Sequence, residues 1–204
     1  MSTIVYKKKD ESVSWEEIRQ VVFRSHESNR KNGVDIRNAH LSSEELAASL
    51  GKEGACFVAL DGEKVVGTCS VAFREIRTWF AKGKVAYLTL AAILPEYKGR
   101  HIFKHLSALR NEYIKSVGCK LCYMNVAEYN HERRAIAIKE GFVEVAINYN
   151  PYNPHNYITY CYWYAGSPFP KIFISFMFLV SKSRLIMGSV IRSIKGKTCI
   201  KTVE

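Results

Sequence analysis

The sequence predicts an α/β (α+β) domain with a central mixed, mostly antiparallel sheet flanked by helices, followed by a basic, apolar C-terminal extension. Three observations predict it. Short apolar runs of strand length alternate with segments whose apolar residues recur every three or four positions, the mark of strands and amphipathic helices in one sheet-based layer architecture. Neighbouring strands in the middle of the chain are joined by tight turns, which only antiparallel pairing allows. A break at Gly166-Ser-Pro-Phe-Pro170 then separates this pattern from a stretch of different character. At 204 residues with 48% hydrophobic and 24% charged positions, the chain suits one domain of ordinary size, 1–164, plus an added element, 165–204.

The elements follow in order. Residues 4–6 read as a first strand. Ser14 caps a helix over 15–25, with Glu17 placed for a capping box and Ile18, Val21 and Val22 on one face. Residues 27–40 read as a polar loop. Ser42 or Ser43 caps a second helix over 44–50, which Gly51 ends. The strands 55–60 and 64–73 are joined at Asp61-Gly62, a hairpin signal. After a turn containing Trp79, Phe80 and Gly83, residues 85–94 are apolar on both faces, as a central strand is. Ile102, Phe103, Leu106, Leu109, Tyr113, Ile114 and Val117 recur at helical spacing, and Gly118 closes that helix. A strand over 121–126, a helix over 132–140 with Asn130 near its start and Gly141 at its stop, and strands over 143–148 and 157–164 complete the domain.

The formal charge of +11 is unevenly spread, with +6 of it in residues 165–204. The mild excess that remains in 1–164 suits a polyphosphate ligand. No element interleaves basic residues with stacking aromatics, so the composition argues against nucleic-acid binding. The N-terminus lacks the apolar core of a signal peptide, and six cysteines without such a signal read as reduced thiols in a cytoplasmic protein. Cys119-Lys-Leu-Cys122 has metal or redox spacing, but no second Cys/His pair stands near it, and buried thiols packing as small hydrophobes are the simpler reading.

The most informative stretch is Leu88-Thr-Leu-Ala-Ala-Ile-Leu-Pro-Glu-Tyr-Lys-Gly-Arg-His-Ile-Phe103, an apolar strand stopped by proline, then a short basic turn that opens a helix. A strand feeding a helix N-terminus through such a turn gathers unpaired main-chain N–H groups at one point, with the helix dipole behind them. That point favours phosphate, and Lys98 and Arg100 add charge beside it. The element order together with this turn resembles the GNAT superfamily of acyl-CoA-dependent acyltransferases. In that family the pyrophosphate turn reads Arg/Gln-x-x-Gly-x-Gly/Ala after Pro-x-Tyr. Pro95-Glu96-Tyr97 fits the lead-in, and Lys98, Gly99, Arg100, His101, Ile102 and Phe103 occupy the motif, with His101 and Phe103 at its glycine positions. Asn130 followed eleven residues later by Gly141-Phe142 matches a second family feature. Where the family often has a tyrosine acid, seven residues after that Asn, this chain has Ala137.

The resemblance implies acetyl-CoA as acyl donor, with its pantetheine arm on the main chain of Ala91, Ala92 and Ile93 where two strands splay at Ile93 and Asn125, its diphosphate on residues 98–103, and Asn130 binding the cofactor or orienting the last helix. It also implies no covalent nucleophile and no metal. Candidate catalytic groups are Glu75 and Glu128 as bases and Tyr123 as a proton donor; exposed loop carboxylates and a core tyrosine are the plainer readings of the same residues. Tyr87 belongs to the same class. His101 and His105 have the i, i+4 spacing of a metal pair but lack an acidic partner. The acceptor implied is a small polar amine, met by 27–40, Trp79-Phe80 and 149–156. The alternative is a non-catalytic CoA-binding or interaction protein of the same fold.

In the extension, 172–180 is apolar but for Ser175 and far shorter than the ~20 residues that span a bilayer. Continued as a helix, it gives an apolar stripe broken by Lys182, Arg184, Arg192, Lys195 and Lys197. Two readings stand: a helix packed on its own domain or on a second copy through 171–197, or a basic amphipathic helix lying peripherally on an anionic membrane.

Overall fold

The computed structural model describes residues 3–31, 37–77, 82–148 and 156–167. The C-terminal extension from residue 168 onward, the Trp79-Phe80 turn and most of the 149–156 link therefore lie outside the described residues, and so do the two readings of the extension. The chain divides into two compact units, the first comprising residues 1–122 with 164–166, the second 123–163 with the residues from 167 onward.

The first unit holds strands β1 (Ile4–Lys8), β2 (Ala55–Asp61), β3 (Lys64–Arg77) and β4 (Lys82–Ile93), paired antiparallel in that order. Helices α1 (Trp15–Ser25), the short α2 (Glu27–Lys31), α3 (Ser43–Leu50) and α4 (Ile102–Ser116) belong to the same unit. β2 is buried at every position from Ala55 to Leu60, so both faces of this sheet are covered. The capping box expected at α1 forms between Ser14 and Glu17, and at α3 the cap is Ser42 rather than Ser43, in a second capping box with Glu45. Each closes the first turn of a short helix whose apolar stripe (Ile18, Val21 and Val22; Leu46 and Leu50) is buried.

Several expectations change at element ends. Residues 27–40 are not wholly loop: α2 occupies 27–31, and a 3₁₀ turn spans Arg37–Ala39. Glu27 pairs with Lys31 one turn on, which supports so short a polar helix. The hairpin turn is Gly62-Glu63, because Asp61 still pairs with Lys64. Gly83 lies in β4, opposite Ile76, and not in a turn.

α4 lies against β1, β2 and β3. Its approach is set by Gly67, where a Cβ would meet Ile102 Cγ2 at 3.1 Å, and by Cys69, whose thiol donates to the Leu106 carbonyl at 3.4 Å. Ile102, Leu106 and Ile114 are fully buried, and the fourth member of that i, i+4 row is Arg110, 2% exposed. Its Nε has no hydrogen-bond partner among the described residues, and the Phe103 ring lies 5.9 Å from the guanidinium carbon.

The second unit holds most of β5 (Leu121–Ala127), with α5 (His131–Lys139), β6 (Val143–Asn148) and β7 (Tyr157–Trp163). β7 lies between β5 and β6, antiparallel to β6. Arg134 of α5 donates to the Tyr160 hydroxyl at 3.2 Å, and Tyr160 is fully buried, which places α5 on that face of the strands. The five cysteines among the described residues, Cys119 and Cys122 included, are buried thiols outside any disulfide. Among the described residues no helix is long and apolar enough to cross a membrane.

Candidate active site

In the first unit the site begins with a bulge. Thr68 pairs with Ala92 and Ser70 with Thr89, so Leu90 and Ala91 together oppose Cys69. Leu90 takes φ +49° while 4% exposed, a conformation that a branched side chain adopts only where its surroundings over-determine it. A bulge bends its strand and sharpens the twist. The result turns Ala91 outward, exposed beside buried Ala92 and half-buried Ile93.

After β4, a 3₁₀ turn at Pro95–Tyr97 leads into the basic loop. Tyr97 donates to Asp61 Oδ2 at 2.7 Å, and this bond raises the Tyr97 pKa above its ordinary value. The Arg100 guanidinium stacks on the Tyr97 ring at 4.7 Å. Glu96 takes Arg24 at 3.1 Å and Lys64 at 3.5 Å. The turn is thus fastened to α1 and to the β2–β3 hairpin before it reaches Gly99.

Gly99 has φ +80° with open space where a Cβ would stand, and His101, the residue that caps α4, has φ +56°. His101 makes no side-chain cap bond. Alternating a left-handed residue with its neighbours makes successive N–H groups converge, the geometry of an anion nest. Among the described residues the N–H groups of Gly99, Arg100, His101 and Ile102 donate to no protein atom, whereas that of Lys104 is taken by the His101 carbonyl at 3.0 Å. The α4 dipole adds positive potential at the same point. These donors fit a diphosphate. An open pocket of about 220 Å³ adjoins the loop, lined by Arg24, Ser25, Glu27, Lys31, Pro95 and Lys98. His26, between α1 and α2, is held down to a pKa of about 4, first by burial and then by Arg30 and Lys98.

Ala91, Ala92, Ile93 and the run Lys98–Phe103 are therefore brought together in sequence along β4, its exit and the mouth of α4. Phe103 faces back along the helix toward Arg110. Glu75 lies elsewhere: exposed within β3 and opposite Lys84, it is seven β4 residues from the bulge, about 23 Å at 3.3 Å per residue. His101 precedes the first turn of α4, and His105 stacks on Tyr6 at 4.8 Å, so the two histidines do different things.

In the second unit Tyr123 is half-buried and Asn125 exposed on the same face of β5. Glu128 accepts from the Asn156 side chain at 2.9 Å, its N–H donates to the Asn156 carbonyl, and its own carbonyl accepts from Arg134. Asn130 caps α5, its Oδ1 accepting from the Arg133 N–H at 3.0 Å. Ala137 is fully buried in α5. Two groups carry no motif in the sequence: Tyr129, whose phenol burial pushes up to about 12, and the side chain of Asn125. Tyr129 adjoins Asn130 in the chain, the one signal that could have drawn attention to it.

The profile of the acetyltransferase (GNAT) family matches residues 15–142. No curated protein matches the sequence. Solved structures do match in fold. Arabidopsis thaliana NAA60 in complex with acetyl-CoA is 19% identical, with a TM-score of 0.62 over 80% of this chain and 100% of that one. The Escherichia coli ribosomal-protein-S18-alanine N-acetyltransferase is 14% identical, with a TM-score of 0.62 over 81% and 96%. A NatC complex bound to Gag peptide and CoA is 14% identical, with a TM-score of 0.63 over 80% and 99%. With a family profile spanning more than half its length, and with the turn, bulge and helix mouth described above, the chain belongs to the acetyltransferase (GNAT) family.

Proposed function

We propose that the protein transfers an acetyl group from acetyl-CoA to the primary amine of a small polar acceptor by direct attack. The observation that carries this reading is the loop at the mouth of α4, where Gly99 and His101 are left-handed and four consecutive N–H groups donate to no protein atom among the described residues. Residues 98–103 hold the diphosphate there, with Lys98 and Arg100 supplying charge and the main chain of Ala91–Ile93, of which Ala91 is exposed, carrying the pantetheine arm. The amine nitrogen attacks the thioester carbonyl carbon, the C–S bond breaks, and the amine's surplus proton leaves to a base as the thiolate takes one from an acid. Glu128 serves as base, and Tyr123 as acid, in this reading, since Glu75 stands about 23 Å along β4 from the bulge.

A second reading of the acceptor, the α-amine of a peptide or protein, draws on two relatives: one is named for a ribosomal protein's alanine, the other was captured with a peptide. The test has two stages. Acetyl-CoA in excess over its Kd raises the melting temperature of a protein that binds it; no rise removes the donor from the account. CoA thiol release against a panel of amines and short peptides then identifies the acceptor. Binding without release from any amine would establish the non-catalytic alternative.

A further inference from the structure

The α5-free face of the second unit carries a hydrogen-bond relay that the mechanism above does not use. The Asn148 Nδ2 donates to Thr159 Oγ1 at 2.6 Å, and the Thr159 hydroxyl donates to Asn125 Oδ1 at 2.7 Å. These residues sit on adjacent strands, β6, β7 and β5. A threonine hydroxyl has one proton; with Asn148 donating to the oxygen, that single proton goes to Asn125. The carboxamide of Asn125 is thereby fixed with its oxygen inward. Its Nδ2 has no protein partner among the described residues and lies on an exposed position of β5. An exposed asparagine on a strand ordinarily rotates freely in water; this one presents two N–H donors in a set direction.

We infer that Asn125 is a specificity-determining residue that donates a hydrogen bond to a carbonyl oxygen on the acceptor, close to the amine that is acetylated. The inference rests on the proposed function and narrows its acceptor. Asn125 stands two residues from Tyr123 on the same face, about 7 Å along the strand, so an oxygen bound there is within a few bonds of the reacting nitrogen. The donor is neutral, and Glu128 is the exposed charge three residues on; together they suit an uncharged carbonyl and disfavour a carboxylate. An α-amino amide, the group found at a peptide N-terminus, has this arrangement.

The test uses the full-length chain with alaninamide and isopropylamine, which differ by a carboxamide in place of a methyl. The readout is the ratio of their kcat/KM values in wild type, Asn125→Ala and Thr159→Val. Comparing the ratio across proteins cancels the difference in amine basicity. Losing one hydrogen bond to a neutral carbonyl lowers the alaninamide preference about five- to tenfold in Asn125→Ala. Thr159→Val, which keeps Asn125 but frees it to rotate, lowers it in the same direction, with KM for acetyl-CoA unchanged in both. A ratio unchanged within twofold in Asn125→Ala overturns the inference, as does a wild type that binds acetyl-CoA yet acetylates neither amine. A wild type that does not bind acetyl-CoA overturns the proposed function instead.

Discussion

His101 sits at φ +56° at the entrance to α4, and a series of substitutions there reads the geometry of the whole loop. An L-residue in this conformation costs about 1–2 kcal/mol through the contact of its Cβ with the following carbonyl. Glycine escapes that cost but loses about 0.5–1 kcal/mol more backbone entropy on folding. His101→Gly is therefore neutral or stabilising by up to about 1 kcal/mol. His101→Val, with a β-branched side chain, is the worst of the series, about 2 kcal/mol below glycine, and His101→Ala falls between them. For a chain of this length about 1 kcal/mol moves the melting point by ~2–4 °C, so the glycine-to-valine span is about 4–8 °C by calorimetry. His101→Gly also removes an imidazole from the mouth of the nest, and acetyl-CoA binds it at least as tightly by titration calorimetry. Valine and glycine variants that melt within a degree of one another would refute the left-handed turn and the nest built on it.

Other outcomes follow from the same coordinates. Arg110→Met replaces a buried guanidinium lacking an Nε partner with an apolar side chain of similar reach, and stabilises by about 1–3 kcal/mol in urea unfolding, allowing for the lost Phe103 contact. Gly67→Ala drives a methyl against Ile102 Cγ2 and pushes the α4 mouth off the sheet; it costs about 1–3 kcal/mol and weakens acetyl-CoA binding together with stability. His26 is neutral when folded, with its pKa lowered to about 4, so the unfolded chain binds the extra proton first. Stability from this residue is present above pH 6.5 and is lost as pH falls from there to about 4, and His26→Asn flattens that part of a melting-point profile.

Much of the fold was legible in the chain because its signals are local. The capping box of Ser14 and Glu17, Gly118 and Gly141 past helix ends, and the apolar row Ile18, Val21 and Val22 each act within one turn. The candidate site's backbone was legible where it is also local: Pro95 through His101 is one short connection from β4 to α4, and its left-handed backbone at Gly99 follows from the residue itself. What escaped notice is non-local. The bulge that puts Leu90 at positive φ exists only once β3 fixes the register of β4. Tyr97 and Asp61 are 36 residues apart, and Asn125 and Thr159 are 34 apart, so neither pairing has a sequence period to reveal it. Arg110 is different: it falls in the row 102, 106, 110, 114, but a charged side chain gives no sequence signal of burial.

The central claim is that main-chain amides around Gly99 hold the diphosphate of coenzyme A. Titration calorimetry of CoA against pantetheine, which keeps the arm but lacks the phosphates, tests it most directly. The account predicts CoA binding tighter by about a hundredfold or more, the weight of one or two charge-assisted hydrogen bonds beyond the arm. Equal affinity for the two would contradict it.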